Sequence, residues 1–200
     1  MSDTFATRAP GWDALPLPQQ ISSGVGAAVL ARLPLAPDDT VLDFGAGTGL
    51  LTAHVTPRVG RVVALDVSPA MLRELTAKPE FQGRVTTRCQ DILQQPLNET
   101  FTRIVSAMAM HHVQDTARLM HALWSHLDPG GRIALADLDR EAGDFHPPDV
   151  EGVFHHGFER DALATTIAAA GFVHLTFDTA CVVSRNGKSY PVFLVTAQRP

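Results

Sequence analysis

Val41-Leu42-Asp43-Phe44-Gly45-Ala46-Gly47-Thr48-Gly49-Leu50-Leu51-Thr52 is the stretch on which the reading of the chain turns. An apolar opening, a carboxylate at Asp43, three glycines at alternate positions and an apolar continuation read as a buried strand, a glycine turn and a helix. Glycine lets a backbone turn sharply and approach a ligand with no side chain between them. The loop is therefore built to hold a small molecule.

Spacing narrows the choice of molecule. A dinucleotide fingerprint, G-x-G-x-x-G, needs glycine at position 50, where the chain has Leu50. A phosphate loop needs glycine there too and lysine next, and Leu51 fails as well. What stands is D-x-G-x-G-x-G. Asp43 ahead of the turn suits a ligand with an ammonium group and repels a pyrophosphate. S-adenosylmethionine, a nucleoside joined to a cationic amino acid, has that polarity.

Working outward, 200 residues with 45% hydrophobic and 18% charged composition are enough to bury a core as one domain over 1–200. A formal net charge of -5 points away from nucleic acid. Cys89 and Cys181 are far apart, which suits a reducing compartment, and both are expected as small core residues. The opening Met1-Ser2-Asp3-Thr4-Phe5 has no basic and apolar leader pattern, and no stretch reaches the ~18 apolar residues of a membrane span. A cytoplasmic protein with no membrane partner is expected.

Residues 1–18 lack periodicity and read as an irregular arm carrying Trp12; with the helix expected from about Gln19 to Leu33 they form an N-terminal addition over 1–35. Strands are expected at Arg61–Leu65, Arg84–Arg88, Phe101–Ala107 and Arg132–Leu138. Ser68-Pro69 should open one helix and Asp115 another, the latter with Met120, Leu123, Trp124 and Leu127 on one face and His121 and His126 toward solvent. Asp128-Pro129-Gly130-Gly131 has turn chemistry. A helix from about Asp161 to Ala170 precedes strands at Phe172–Thr179 and Pro191–Gln198, joined through Asn186-Gly187 as a hairpin. Strand and helix alternating in this way predict an α/β fold. It is a Rossmann-like doubly wound sheet of seven strands, mostly parallel with an antiparallel C-terminal strand. The proline- and histidine-bearing segment 139–159 breaks the rhythm and reads as a substrate-side lid.

Several ordered motifs then resemble the class I S-adenosylmethionine-dependent methyltransferases of small-molecule type: VLDFGAGTG, VVALDVSPAML, CQDI and LDPGGRIALAD, across about positions 40–138. Asp66, 21 positions after Gly45 at a strand end, can accept both ribose hydroxyls of the cofactor. The resemblance implies a cradle of Gly45, Ala46, Gly47 and Gly49, with Asp43 near the methionine ammonium. It places Asp91 by the adenine amino group, Ile92, Val67 and Met71 against the ring, and Ala107 at the strand end beside them.

Ala107-Met108-Ala109-Met110-His111-His112 leaves the fourth strand on the ligand edge. Neither an Asp/Asn-Pro-Pro-aromatic motif nor a Pro-Cys pair is present, so a small-molecule acceptor is expected. Methyl transfer requires alignment and exclusion of water, and a base only for a protonated acceptor. His111 or His112 is the candidate base. Trp12, Met108, His146, His155 and His156 are candidate substrate contacts, with Asp149 beside the lid histidines. No C-x-x-C or H-E-x-x-H occurs, and no metal is expected. The alternative to an enzyme is a sensor or scaffold that binds S-adenosylmethionine and transfers nothing; a nicotinamide oxidoreductase is disfavoured by Leu50 and Asp43.

Overall fold

The computed structural model describes residues 3–147 and 150–200, so Asp149 lies outside the described residues. In chain order the elements are α1 (Pro16–Arg32), β1 (Thr40–Phe44), α2 (Leu50–Val55), β2 (Arg61–Asp66), α3 (Pro69–Thr76) and β3 (Val85–Cys89). Then come β4 (Phe101–Ala107), α4 (Thr116–Ser125), β5 (Leu127–Leu138), α5 (Arg160–Ala169), β6 (Val173–Arg185) and β7 (Lys188–Gln198). The strands form one sheet in the order β3-β2-β1-β4-β5-β7-β6. The first five are parallel, and β7 runs antiparallel between β5 and β6. Strand order reverses between β1 and β4, which opens a crevice at their carboxyl ends.

Strand alternation divides the core. Leu42, Ile104, Leu135 and Phe193 face one side with Leu119, Leu123 and Ile167. Val41, Val105, Ala134 and Leu194 face the other with Val25, Val29 and Val55. Both faces of the central strands are thus covered, and each fully buried aliphatic side chain contributes roughly 1.5–3 kcal/mol.

Helix α1 starts at Pro16, three residues before the expected Gln19, because prolines are tolerated in a first turn whose N–H groups have no helical partner. The hairpin strands are longer than expected and meet at Asn186 and Gly187, whose φ values of 50° and 75° suit a type I′ turn. The Asp128–Gly131 turn falls within β5, where the register against β4 jumps from Phe101↔Leu127 to Arg103↔Arg132. Leu127 therefore opens β5 instead of extending α4.

Two solvent and core assignments are corrected. His126 is 5% exposed: Nδ1 donates to Ala122 O at 2.7 Å and Nε2 accepts the Leu97 N–H at 3.0 Å, so the ring joins α4 to the loop before β4. Cys89 is exposed at the end of the edge strand β3, whereas Cys181 is half-buried. Ser68 caps α3 as expected, accepting the Met71 N–H at 3.1 Å. Ser68→Ala should cost about 1 kcal/mol in urea unfolding; an unchanged midpoint would remove the cap from the account.

Candidate cofactor and acceptor site

The glycine loop is fastened to β2, since the N–H groups of Gly45 and Ala46 both donate to Leu65 O, at 2.8 and 3.0 Å. Gly45 has φ 68°, and a Cβ there would stand 2.3 Å from that of Ala109, so only glycine lets the segment leaving β4 pass this closely. A Cβ on Gly47 (φ 55°) would meet nothing within 4 Å, which leaves that side of the loop open to a ligand.

Asp66 ties the loop to the start of α3: Oδ2 accepts the Gly47 N–H at 2.7 Å and Oδ1 the Ser68 N–H at 2.8 Å. Burial raises its pKa against the pull of those bonds. Asp43 is 1% exposed, and Oδ2 accepts the Thr52 hydroxyl at 2.6 Å while Oδ1 is buried with no partner. Burial, helped by the charge of Asp66, pushes its carboxyl up to about 7. An ammonium group would satisfy both the orphaned oxygen and its charge. These residues fit an S-adenosylmethionine.

Around them, Val67 is 64% exposed beside Asp66. Asp91 is exposed, with Oδ1 accepting the Leu93 N–H at 2.8 Å in a turn of its own. Ile92 lies in the core cluster below, and Ala107 pairs with Ala136 at the end of β4. Met71 is buried against Ala9 and Ala70, with Phe5 and Trp12 packed on the same cluster.

The arm is ordered over this edge. Asp3 Oδ2 accepts the Ser68 hydroxyl and the Ala70 N–H, at 3.0 and 3.1 Å. Trp12 opens a short 3-10 turn (Trp12–Ala14), and Asp13 of that turn accepts the Thr48 hydroxyl of the glycine loop at 2.5 Å and pairs with Lys78. Phe5 stands edge-on to both Trp12 and His112, with ring centroids 6.2 and 5.5 Å away.

Beyond the loop, Met108 takes φ 57° and turns the chain into a 3-10 turn, Met110–His112. His111 is 1% exposed and held by Asp137 at the end of β5: Nδ1 lies 2.7 Å from Oδ1, and the His111 N–H donates to Oδ2 at 3.1 Å. The Leu138 N–H also donates to Asp137, at 2.8 Å, and these three N–H donors hold its carboxyl low despite complete burial. His111 Nε2 is buried without a partner. His112 and His146 complete a cluster, their ring centroids 4.2 and 4.9 Å from that of His111.

His155 and His156 are not brought into this cluster. His155 Nε2 is spent on Val113 O at 3.0 Å, which anchors the segment after β5 to the loop before α4, while His156 is exposed beside Glu141. Glu141 Oε2 instead shapes the turn that presents His146, accepting the N–H groups of Gly143, Asp144 and Phe145 at 2.8, 2.9 and 3.2 Å. Asp137, Glu141 and Phe5 carry no role that the sequence alone assigns, whereas Asp13 follows Trp12 in a Trp-Asp pair that resembles an N-terminal element of some small-molecule methyltransferases. For Asp137 the signal was present: a lone acid near the end of Ile133-Ala134-Leu135-Ala136-Asp137-Leu138. Among the described residues no group of three or more His, Cys, Asp or Glu is arranged to hold a metal ion, and no helix is long and apolar enough to cross a membrane.

Comparison with known proteins agrees with this geometry. Residues 41–131 match a family model described as a methyltransferase domain. An uncharacterized methyltransferase of Schizosaccharomyces pombe is 32% identical over 134 residues, covering 59% of this chain and 47% of that one. A trans-aconitate 2-methyltransferase of Deinococcus radiodurans is 36% identical over 107 residues, covering 52% and 40%. The chain spans about half the length of the first curated relatives it matches. In three dimensions it resembles the N-methyltransferase NodS of Bradyrhizobium japonicum, solved with S-adenosylhomocysteine, at a TM-score of 0.74 and 17% identity over 100% of both chains. Motifs, strand order and matched domain converge: residues 41–131 are similar to a methyltransferase domain, and the fold resembles that of an N-methyltransferase solved with S-adenosylhomocysteine.

Proposed function

We propose that the chain transfers a methyl group from S-adenosylmethionine to a small-molecule acceptor, with His111 as general base and Asp137 as its positioning residue. The observation that carries this is the buried Asp137–His111 pair, with an unpartnered Nε2 on a residue two positions after Ala109, which packs against Gly45. Asp43 would hold the ammonium, Asp66 the ribose, and Val67 and Asp91 the adenine. The bound sulfonium supplies an activated methyl group. The chain's own work is alignment, exclusion of water and acceptance of a proton. Asp137 keeps the Nδ1 hydrogen of His111 in place, so Nε2 presents a lone pair. Trp12, Phe5 and the arm close the outer side.

Labelled methyl transfer to a metabolite panel tests the reading. Release of S-adenosylhomocysteine with a methylated small molecule is expected; tight cofactor binding with no release on any acceptor would favour a sensor. Asp66→Ala should weaken S-adenosylhomocysteine binding roughly 10- to 100-fold, because charge-assisted hydrogen bonds to the ribose are lost and the loop loosens. Unchanged affinity by calorimetry would contradict the ribose assignment.

A further inference from the structure

We infer that the acceptor atom enters carrying a hydrogen, as an uncharged O–H, S–H or N–H group, and that carboxylates and phosphates are refused; the inference rests on the methyl transfer proposed above. His112 Nδ1 lies 2.7 Å from Gly152 O. A carbonyl only accepts, so Nδ1 carries the ring hydrogen and Nε2 is left with a lone pair. The Asp137 carboxylate imposes the same arrangement on His111. Two adjacent imidazoles thus offer acceptors, and the Nε2 of His111 is buried with no partner.

The neighbouring rings are uncharged. Burial above all lowers His112 to about 4 and His146 to about 3, so both are neutral at about pH 7. Among the described residues no Lys or Arg hydrogen-bonds to any of the three rings. Arg8, exposed on the arm, acts on His112, and Arg185, over the Phe145 ring 5.5 Å from its centroid, acts on His146, each by charge alone, and both help to keep those rings unprotonated. Asp137 behind His111 adds negative charge. A carboxylate entering here would leave its hydration for the lone pairs of His111 and His112, which is costly, whereas a hydroxyl would donate to His111 Nε2. The edges of Phe5 against His112 and of Phe145 against His146, at 5.5 and 5.0 Å, flank the cluster with rings that suit a flat, uncharged acceptor. In the transfer, the new bond forms between the acceptor atom and the methyl carbon as the carbon–sulfur bond breaks. Its electron pair stays on sulfur, and the acceptor's proton passes to His111 Nε2 and then to solvent.

Heavy-nitrogen labelling of the histidines in the full chain, with and without S-adenosylhomocysteine, reads the lining directly, and phenol and benzoate are the matched probes. Unprotonated Nε2 atoms are expected at His111 and His112, with phenol shifting their resonances and binding at least about tenfold more tightly than benzoate. An Nε2-bound proton on His112, benzoate binding as tightly as phenol, or no shift from either probe overturns the inference. A calorimetric titration of the same sample with S-adenosylhomocysteine separates the two levels. Absence of binding there counts against methyl transfer, while the nitrogen spectra still decide the lining.

Discussion

Asp137→Asn is expected to lower kcat about 10²- to 10⁴-fold, the range of general acid–base contributions, while S-adenosylhomocysteine affinity stays within about threefold. The carboxylate accepts three N–H groups: the His111 ring, the His111 backbone and the Leu138 backbone. An asparagine turns one of those acceptors into a donor. Either the backbone contact breaks or His111 shifts its hydrogen to Nε2, and the lone pair that takes the acceptor's proton disappears. His111→Gln should lose a similar factor, and the double variant little more, since the two residues act as a unit. A merely structural Asp137 would behave otherwise: the single variants would lose stability while kcat on the identified acceptor stayed within about threefold and its pH profile kept its acidic limb.

Asp43→Asn carries the second large effect, and its sign is opposite for folding and for binding. Asp43 has a folded pKa raised to about 7 from 3.8, so its contribution to stability is fully present below 3.8 and is lost as pH rises through 7. The loss is at most about 4 kcal/mol in the ligand-free chain, because three pKa units separate the two states. Asp66, also raised by burial, acts in the same direction, while Asp137, held low, acts against them. The asparagine variant should therefore be more stable than the parent at about pH 8 and nearly as stable at about pH 4. It should bind S-adenosylmethionine roughly 10- to 100-fold more weakly, having lost the carboxylate that meets the ammonium. In the parent, affinity should rise between about pH 6 and 8, with proton release on binding that the variant lacks. Thermal unfolding and calorimetry in buffers of different ionisation heat read both effects. Equal stability across this range together with unchanged affinity would refute the role.

Much of this was legible from residue order. The glycine loop, Asp66 and the alternation of strands and helices are local patterns, set by backbone conformation and strand burial, and they appear where expected. The site's other half is made by distant pairings. Asp137 meets His111 only because β4 and β5 are neighbours in register, Ala107 beside Ala136. Asp13 reaches Thr48, and Asp3 the start of α3, because the arm folds back over the loop, which no periodicity encodes. The histidines show the same limit. His146 joins the cluster, while His155 is consumed by Val113 O, His156 is exposed and His126 is a buried tie. Identity alone could not separate them, since a histidine's role depends on which atoms its two nitrogens meet.

The central claim is that this loop and its two acids cradle S-adenosylmethionine. Calorimetric titration of the purified chain with S-adenosylhomocysteine tests it most directly. The account predicts saturable binding that S-adenosylmethionine displaces and that both Asp43→Asn and Asp66→Ala weaken. No binding at millimolar ligand, or binding of a nicotinamide dinucleotide in its place, would contradict it.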